Sequence, residues 1–293
     1  MSIMTETKKL LVPIVTPFKE NGEVNYDALA KLTKKVLDDG ADGIYATGSS
    51  AETFLLSTEE QKKSIEVIVK AANGAKVVAH VGSVGTKNAI DLAKHAEKVG
   101  ADEIASVPPF YFKYGFAGIK QYYKELSESV SIPTLMYNIP GSTGVSLTVS
   151  ELADIMRLPK VESLKFTDTN YYMMQQVIAE TGKFVYSGSD ENFISAIAMG
   201  ANGGIGTTYN FMVDKYVRIA KAYNEGKMDK ALEIQKSANA ITRACIESGT
   251  LAGTKYICTM QGIDVGTVRS PFAPLTEEAK KHIEEVYAKN INI

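Results

Sequence analysis

The residues best placed to do chemistry are a lysine, a tyrosine and several hydroxyls and carboxylates, each at the end of a short apolar run. Val161-Glu162-Ser163-Leu164-Lys165-Phe166-Thr167 reads as a strand that ends around Lys165 and Thr167. Pro159 stops what precedes it, and Asp168-Thr169-Asn170 opens a helix after it. A second run, Pro133-Thr134-Leu135-Met136-Tyr137, closes on Tyr137 and leads into Asn138-Ile139-Pro140-Gly141. Three more runs lead into Gly48-Ser49-Ser50-Ala51-Glu52, Gly188-Ser189-Asp190-Glu191 and Gly206-Thr207-Thr208-Tyr209-Asn210. A lysine in a dry site can lose its proton and attack a ketone as the free amine. The iminium then draws electrons from a neighbouring carbon–carbon bond, and a nearby phenol can pass the proton. Hydroxyl-rich and acidic loops suit a polyhydroxylated substrate.

Each of these groups also has a plainer reading. Most lysines simply hold a charge in water, and a tyrosine at a strand end is commonly a core residue with a wet tip. Ser49 and Ser50, with neighbouring amides, can bind a carboxylate or can cap a helix in a tight turn. Asp190 and Glu191 can hold a ligand or cap the helix that follows. Gly82-Ser83-Val84-Gly85-Thr86 reads as a plain turn rather than a phosphate cradle, since no Lys-Ser/Thr completes a P-loop.

The elements that must position these groups alternate strictly. Leu10–Val15 is a first strand, and Asn25 caps a helix with Leu29, Leu32, Val36 and Leu37 on one face. Asp42–Ala46, Val77–Ala79 and Glu103–Ser106 are the next strands, separated by a helix opened by the capping box Ser57-Thr58-Glu59-Glu60 and one from about Lys87 to Gly100. A helix near 119–129 precedes the Tyr137 strand, and a second capping box, Thr148 with Glu151, precedes the Lys165 strand. Phe184–Tyr186 is seventh, and Gly203-Gly204-Ile205 begins an eighth; helices follow over about 212–224, 228–247 and after Thr276. One phrase recurs at three junctions: Gly40-Ala41-Asp42, Gly100-Ala101-Asp102 and Gly200-Ala201-Asn202, each a glycine helix stop before a strand. Eight such units predict an α/β fold, a (β/α)8 TIM barrel with additional C-terminal helices. An open doubly wound sheet would carry a glycine fingerprint in its first βα turn, where this chain has Thr16-Pro17-Phe18-Lys19. With no linker or low-complexity tract, residues 1–293 read as a single domain: barrel over about 8–225, helical extension over about 226–293.

Composition narrows the function. The chain has 293 residues, of which 45% are hydrophobic and 23% charged, so a large buried core is available. A net charge of −2 argues against nucleic acid and anionic membrane as partners. The three histidines are scattered and form no metal set, so no metal is expected. Cys245 and Cys258 lack ligand spacing and read as core residues in a reduced, cytoplasmic protein. Met1 to Lys9 lacks the apolar core of a signal peptide, and no window is long enough to span a membrane.

In this order, Gly48-Ser49-Ser50-Ala51-Glu52, Pro108-Pro109-Phe110-Tyr111, Tyr137-Asn138-Ile139-Pro140 and Lys165 with Thr167 form a specific set. The chain resembles the N-acetylneuraminate lyase and dihydrodipicolinate synthase superfamily of Schiff-base-forming barrels, over nearly its whole length. Two departures stand out. Ala51 replaces the family's usual glycine, and Ser142 replaces both the arginine of the synthase branch and the bulkier apolar residue of the lyases. Gly188-Ser189-Asp190-Glu191 resembles the lyase branch's G-x-D-E sugar loop, and Gly204-Ile205-Gly206-Thr207-Thr208-Tyr209-Asn210 resembles its G-I-G-S-T-Y-N.

The resemblance implies a class I aldolase that reversibly cleaves N-acetylneuraminate to N-acetylmannosamine and pyruvate, with no cofactor beyond a Schiff base on lysine. It makes Lys165 the nucleophile, Tyr137 the proton donor and acceptor, and Ser49 and Ser50 the carboxylate holders. It assigns Thr167, Gly188, Asp190, Glu191 and Thr207 to the sugar chain, makes the protein a homotetramer, and places Tyr111 near a neighbouring subunit's site. The competing enzyme readings are an aldolase for a shorter 2-keto-3-deoxy sugar acid and dihydrodipicolinate synthase. A non-catalytic barrel that binds a keto acid or sialic acid is the competitor of another class, and it would need no nucleophile.

Overall fold

Three turns of nearly the same sequence show how one unit is laid against the next. In Gly40-Ala41-Asp42, Gly100-Ala101-Asp102 and Gly200-Ala201-Asn202 the glycines take φ of +105°, +97° and +101°, a conformation that side chains avoid. The third residue then clamps the preceding strand at two points. Its carboxylate or amide oxygen accepts from the strand's amide: Leu10 N to Asp42 at 2.9 Å, Val77 N to Asp102 at 2.8 Å, Val185 N to Asn202 at 2.9 Å. Its own amide donates to the carbonyl of the same strand residue, at 2.8, 2.9 and 2.8 Å respectively. The repeated phrase is therefore a reusable joint made by one acceptor side chain of fixed length.

The computed structural model describes residues 8–293, so most of the N-terminal stretch read above for a signal sequence lies outside the described residues. The strands are β1 (Lys9–Pro13), β2 (Gly43–Ala46), β3 (Lys76–His80), β4 (Glu103–Ser106), β5 (Thr134–Asn138), β6 (Val161–Phe166), β7 (Phe184–Ser187) and β8 (Gly203–Ile205). They form a closed parallel barrel in sequence order, β8 pairing with β1. Around it run α1 (Tyr26–Asp38), α2 (Thr58–Ala72), α3 (Thr86–Val99), α4 (Phe116–Glu128), α5 (Pro140–Thr143), α6 (Val149–Met156), α7 (Tyr171–Thr181), α8 (Phe193–Ala198) and α9 (Tyr209–Asn224). The extension adds α10 (Met228–Ser248), α11 (Thr250–Met260) and α12 (Glu277–Asn290). Both capping boxes form, at α2 and α6, and Asn25, Asn170 and Thr276 cap α1, α7 and α12 through their side chains. Among the described residues no helix is long and apolar enough to cross a membrane.

Side-chain parity sorts the strands into two cores. One face packs Val12, Ile44, Val77, Ile104, Met136, Leu164 and Val185 against the helices. The other packs Leu11, Tyr45, Val78, Ala105, Leu135, Tyr137, Tyr186 and Ile205 inside the barrel. Register aligns Tyr137 with Lys165, and Lys165 with Tyr186, so the lysine shares the interior parity near the carboxyl ends. At the opposite, amino-terminal end a cavity of about 430 Å³ is edged by paired charges, Lys9 with Asp42 at 2.9 Å and Lys76 with the buried Glu103 at 2.8 Å.

Two features differ from the sequence reading. The first strand leaves the sheet at Pro13, because the Val15 amide turns to Asn210 instead; the Asn210 side chain accepts from it at 3.0 Å and donates to Pro13 O at 3.0 Å. The helix α11 has no sequence signature: its Thr, Gly and Ile content is poor for helices, and Ala252, Gly253, Thr254, Lys255, Ile257 and Cys258 bury it too widely to leave an amphipathic stripe. Packing overrides propensity here, with Gly253 lying directly on Cys245 of α10.

Asn210 is the latch of the closed barrel, and its partners are buried backbone groups. Asn210→Ala leaves them unpaired and should lower stability by about 2–4 kcal/mol. Asp102→Ala, at a solvent-facing joint, should cost only about 1 kcal/mol. Urea unfolding of the two variants beside wild type measures the difference; equal costs would mean that the latch contributes no more than an ordinary joint.

Candidate active site

Lys165 is 4% exposed, at the inner face of β6. Its Nζ lies 4.2 Å from the ring centroid of Tyr137 and 4.8 Å from that of Tyr45. The two rings meet edge to face at 6.1 Å. Among the described residues no carboxylate forms an ion pair with Lys165, so its amine is flanked by aromatic faces rather than by a counter-ion. The strand parity that puts Tyr137 beside Lys165 also puts Tyr45 and His80 there. The sequence reading missed both. The signal was available in that parity, counted across strands rather than along one.

The loop after β2 carries the hydroxyl pair. Ser49–Ala51 forms a single 3₁₀ turn, with Ser49 exposed and Ser50 buried. Ser50 Oγ lies 2.7 Å from Thr207 Oγ1 after β8, so two of the predicted hydroxyls are joined. The left-handed residue that ends the turn is Glu52, at φ +58°, and not Ala51. The departure from glycine at 51 is therefore free of backbone strain. Glu52 is held instead by a fully buried ion pair with Lys255 of α11 at 2.5 Å, and by the Arg269 amide, which donates to it at 2.7 Å. Arg269 also binds Glu60 through two nitrogens at 2.9 and 2.7 Å and the Leu55 carbonyl at 2.8 Å.

After β6 and β7 the chain makes close approaches. Thr167 Oγ1 is buried without a hydrogen-bond partner. It lies 1.8 Å from where a Cβ on Gly188 would sit, so only glycine leaves room for it. Asp190 is 6% exposed and does not cap the following helix. Its Oδ2 accepts from Thr208 N at 2.8 Å and Thr208 Oγ1 at 2.7 Å, while Oδ1 is buried and unpaired against Gly206. Burial pushes its carboxyl up to about 6, against the hydrogen bonds from Thr208. Glu191, one residue on, is exposed. The backbone of this loop is gripped from α10: Gln235 donates to Asp190 O at 3.1 Å and Asn239 to Glu191 O at 2.9 Å.

The structure therefore gathers Lys165, Tyr137, Ser50, Thr167, Gly188, Asp190 and Thr207 around one mouth, with Ser49 and Glu191 at its edge. Tyr111 stands apart, 83% exposed and with a φ of +81°. Beside the mouth a cavity of about 310 Å³ is lined by Ser49, Phe54, Phe110, Ile139, Ser142 and Phe272. Among the described residues no arginine lines it, and Ser142, one of the two departures noted in the sequence, does.

Fold and site define a (β/α)8 barrel with an aromatic-flanked amine at its carboxyl-terminal mouth and, among the described residues, no side-chain counter-ion. The chain belongs to the dihydrodipicolinate synthetase family, which it matches over residues 6–290. It is 34% identical over 287 residues to the N-acetylneuraminate lyase of Lactiplantibacillus plantarum, covering 97% of this chain and 98% of that protein. With the N-acetylneuraminate lyase of Clostridium perfringens it shares 33% over 285 residues, covering 96% and 99%. Among solved structures it superposes on CdNal from Clostridium difficile in complex with mannosamine with a TM-score of 0.94 at 30% identity, covering 98% of this chain and all of that one. It also superposes on dihydrodipicolinate synthase DapA-2 from Bacillus anthracis, at 0.93 and 28% identity, covering 97% and 98%.

Asp190 gives the site a pH signature. Its folded value of about 6 lies above the 3.8 of an unperturbed carboxyl, so the native chain keeps the proton between those limits. The stability this contributes is complete below about pH 3.8 and is lost as pH rises through about 6. Relative to Asp190→Asn, wild type should lose on the order of 3 kcal/mol between pH 4 and pH 7. Urea unfolding at stepped pH reads this; parallel pH dependences would show that Asp190 titrates as an ordinary carboxyl.

Proposed function

We propose that the chain is a Schiff-base aldolase that reversibly cleaves N-acetylneuraminate to N-acetylmannosamine and pyruvate. The observation that carries this is the Lys165 amine, buried beside the Tyr137 phenol at the carboxyl ends of β5 and β6. In the cleavage direction Nζ attacks the keto carbon and water leaves, giving an iminium. Tyr137 relays the proton from the C4 hydroxyl as the C3–C4 bond breaks, its electrons passing to the iminium. The enamine is protonated and hydrolysed, and pyruvate leaves. Ser49 and Ser50 hold the carboxylate throughout. Thr167, Gly188, Asp190, Glu191 and Thr207 face the sugar chain, Asp190 through its unpaired Oδ1. No external cofactor is used.

Relatives named N-acetylneuraminate lyase at 33–34% identity support the lyase branch, as does a structural neighbour that holds mannosamine. The absence of arginine at position 142 weighs against dihydrodipicolinate synthase, and the acidic pair weighs against a shorter keto-sugar acid. A purely binding barrel has no use for a buried nucleophile. Tyr111, Phe112 and Tyr114 form an exposed aromatic loop after β4, which supports covering by another subunit of a homotetramer. Two buried free cysteines fit a reduced cytoplasm.

Pyruvate with borohydride should leave a stable adduct on the peptide containing Lys165, absent in Lys165→Ala; peptide mass mapping locates it. An adduct elsewhere, or none, refutes the Schiff-base assignment. Glu191 tests the branch, because it is exposed and remote from the bond that breaks. Glu191→Ala should weaken kcat/KM for the nine-carbon acid by about 1.5–3 kcal/mol while leaving pyruvate trapping intact. An equal loss on a six-carbon keto-sugar acid would return the choice to a general pyruvate aldolase.

A further inference from the structure

His80 ends β3, is 1% exposed, and its ring lies among those of Tyr45, Phe54 and Tyr137. Its ring joins two loops. Nδ1 lies 3.1 Å from the Thr47 carbonyl, which only accepts, so Nδ1 carries the proton. The Val107 amide donates to Nε2 at 3.3 Å, so Nε2 is bare. Thr47 takes a left-handed φ of +51° immediately before Gly48-Ser49-Ser50, and its hydroxyl donates back to His80 O at 2.9 Å. Val107 immediately precedes Pro108-Pro109-Phe110-Tyr111. The ring edge meets Tyr137 at 6.3 Å and 85°, and Phe54 at 6.2 Å and 85°. Gly82 keeps this space open: a Cβ there would stand 2.8 Å from Nε2 and 2.9 Å from Val107. Burial and the charge of Lys165 pull the ring down to about 3, so it stays neutral and keeps both bonds.

We propose that His80 is a positioning residue, a neutral imidazole that sets the hydroxyl loop after β2 and the aromatic loop after β4 at fixed places around the Tyr137 ring. This rests on the Schiff-base reading of Lys165 and Tyr137. Each bond serves a different step. The bond to Thr47 holds the strained residue that aims Ser49 and Ser50 at the carboxylate. The bond to Val107 holds the wall against which Tyr137 moves its proton. A residue that only filled space would serve both steps equally.

Two amide replacements separate the bonds. His80→Gln places an acceptor near Nε2 and keeps Val107, but loses Thr47. His80→Asn places a donor near Nδ1 and keeps Thr47, but loses Val107. Wild type is first trapped with pyruvate and borohydride; if no adduct forms at Lys165, the Schiff-base reading falls, whatever the variants do. With trapping secured, the concentration of pyruvate for half-maximal trapping should rise about tenfold in His80→Gln, the loss of one hydrogen bond, with kcat for cleavage within about threefold of wild type. In His80→Asn the half-saturation should stay within about threefold and kcat should fall about tenfold. Far-UV circular dichroism checks folding, and each variant decides its own bond, so one that does not fold leaves the other to rule. Wild-type values in both, equal losses on both measurements, or failure of both to fold would overturn the proposal and leave His80 a core residue.

Discussion

A parallel sheet that closes on itself has a single dry interior, and what that interior can hold governs the rest of this molecule. Eight strands in sequence order leave no free edge, so backbone polar groups are satisfied around the ring. The space inside is then filled by alternate side chains, and most of them here are apolar. Lys165 and His80 are polar exceptions near the mouth, as the paired Glu103 is at the opposite end. Tyr186 and Leu135 share the same interior cluster, and beside Lys165 the rings of Tyr45 and Tyr137 supply polarisable faces. A buried amine and a phenol are thus brought together by register alone, Tyr137 pairing with Lys165 across two adjacent strands.

The loops that surround this pair have no such register, and two of them are held in addition from outside the barrel. Glu52 is fixed by Lys255 and the Arg269 amide, and the Asp190–Glu191 backbone by Gln235 and Asn239. All four come from beyond α9. The extension is therefore a brace: it gives two rim segments the rigidity that strand pairing gives the lysine. The buried Glu52–Lys255 pair fits this role better than a stabilising one, since desolvating two charges offsets much of their attraction.

What the sequence conveyed divides along the same line. The alternation of strands and helices, the three glycine joints, both capping boxes and the position of Lys165 were legible, because each depends on neighbours a few residues apart. The closed barrel with added helices follows from them and is what the structure contains. Helix α11 was not legible, because Thr, Gly and Ile fill it for the sake of packing against Cys245 and Glu52. Tyr45 and His80 were passed over because their significance lies across strands. Asp190 carried two readings from sequence, helix cap or ligand holder; its bond to Thr208, eighteen residues on, belongs to neither and depends on how two loops meet.

The Asn210 latch sets a timetable. β1 finds its second neighbour only when β8 arrives, and the bond from Val15 to Asn210 spans 195 residues. At translation speeds of about 5–20 residues per second, β1 waits roughly 10–40 s with one edge bare. Contacts of such long range also make closure slow once the chain is complete. Lys9 and Pro13 stand at the two ends of that strand, and a charge and an imino acid are the residues that discourage an edge from pairing with another chain. The newborn chain thus carries its protection against aggregation on the very strand that must stay open longest.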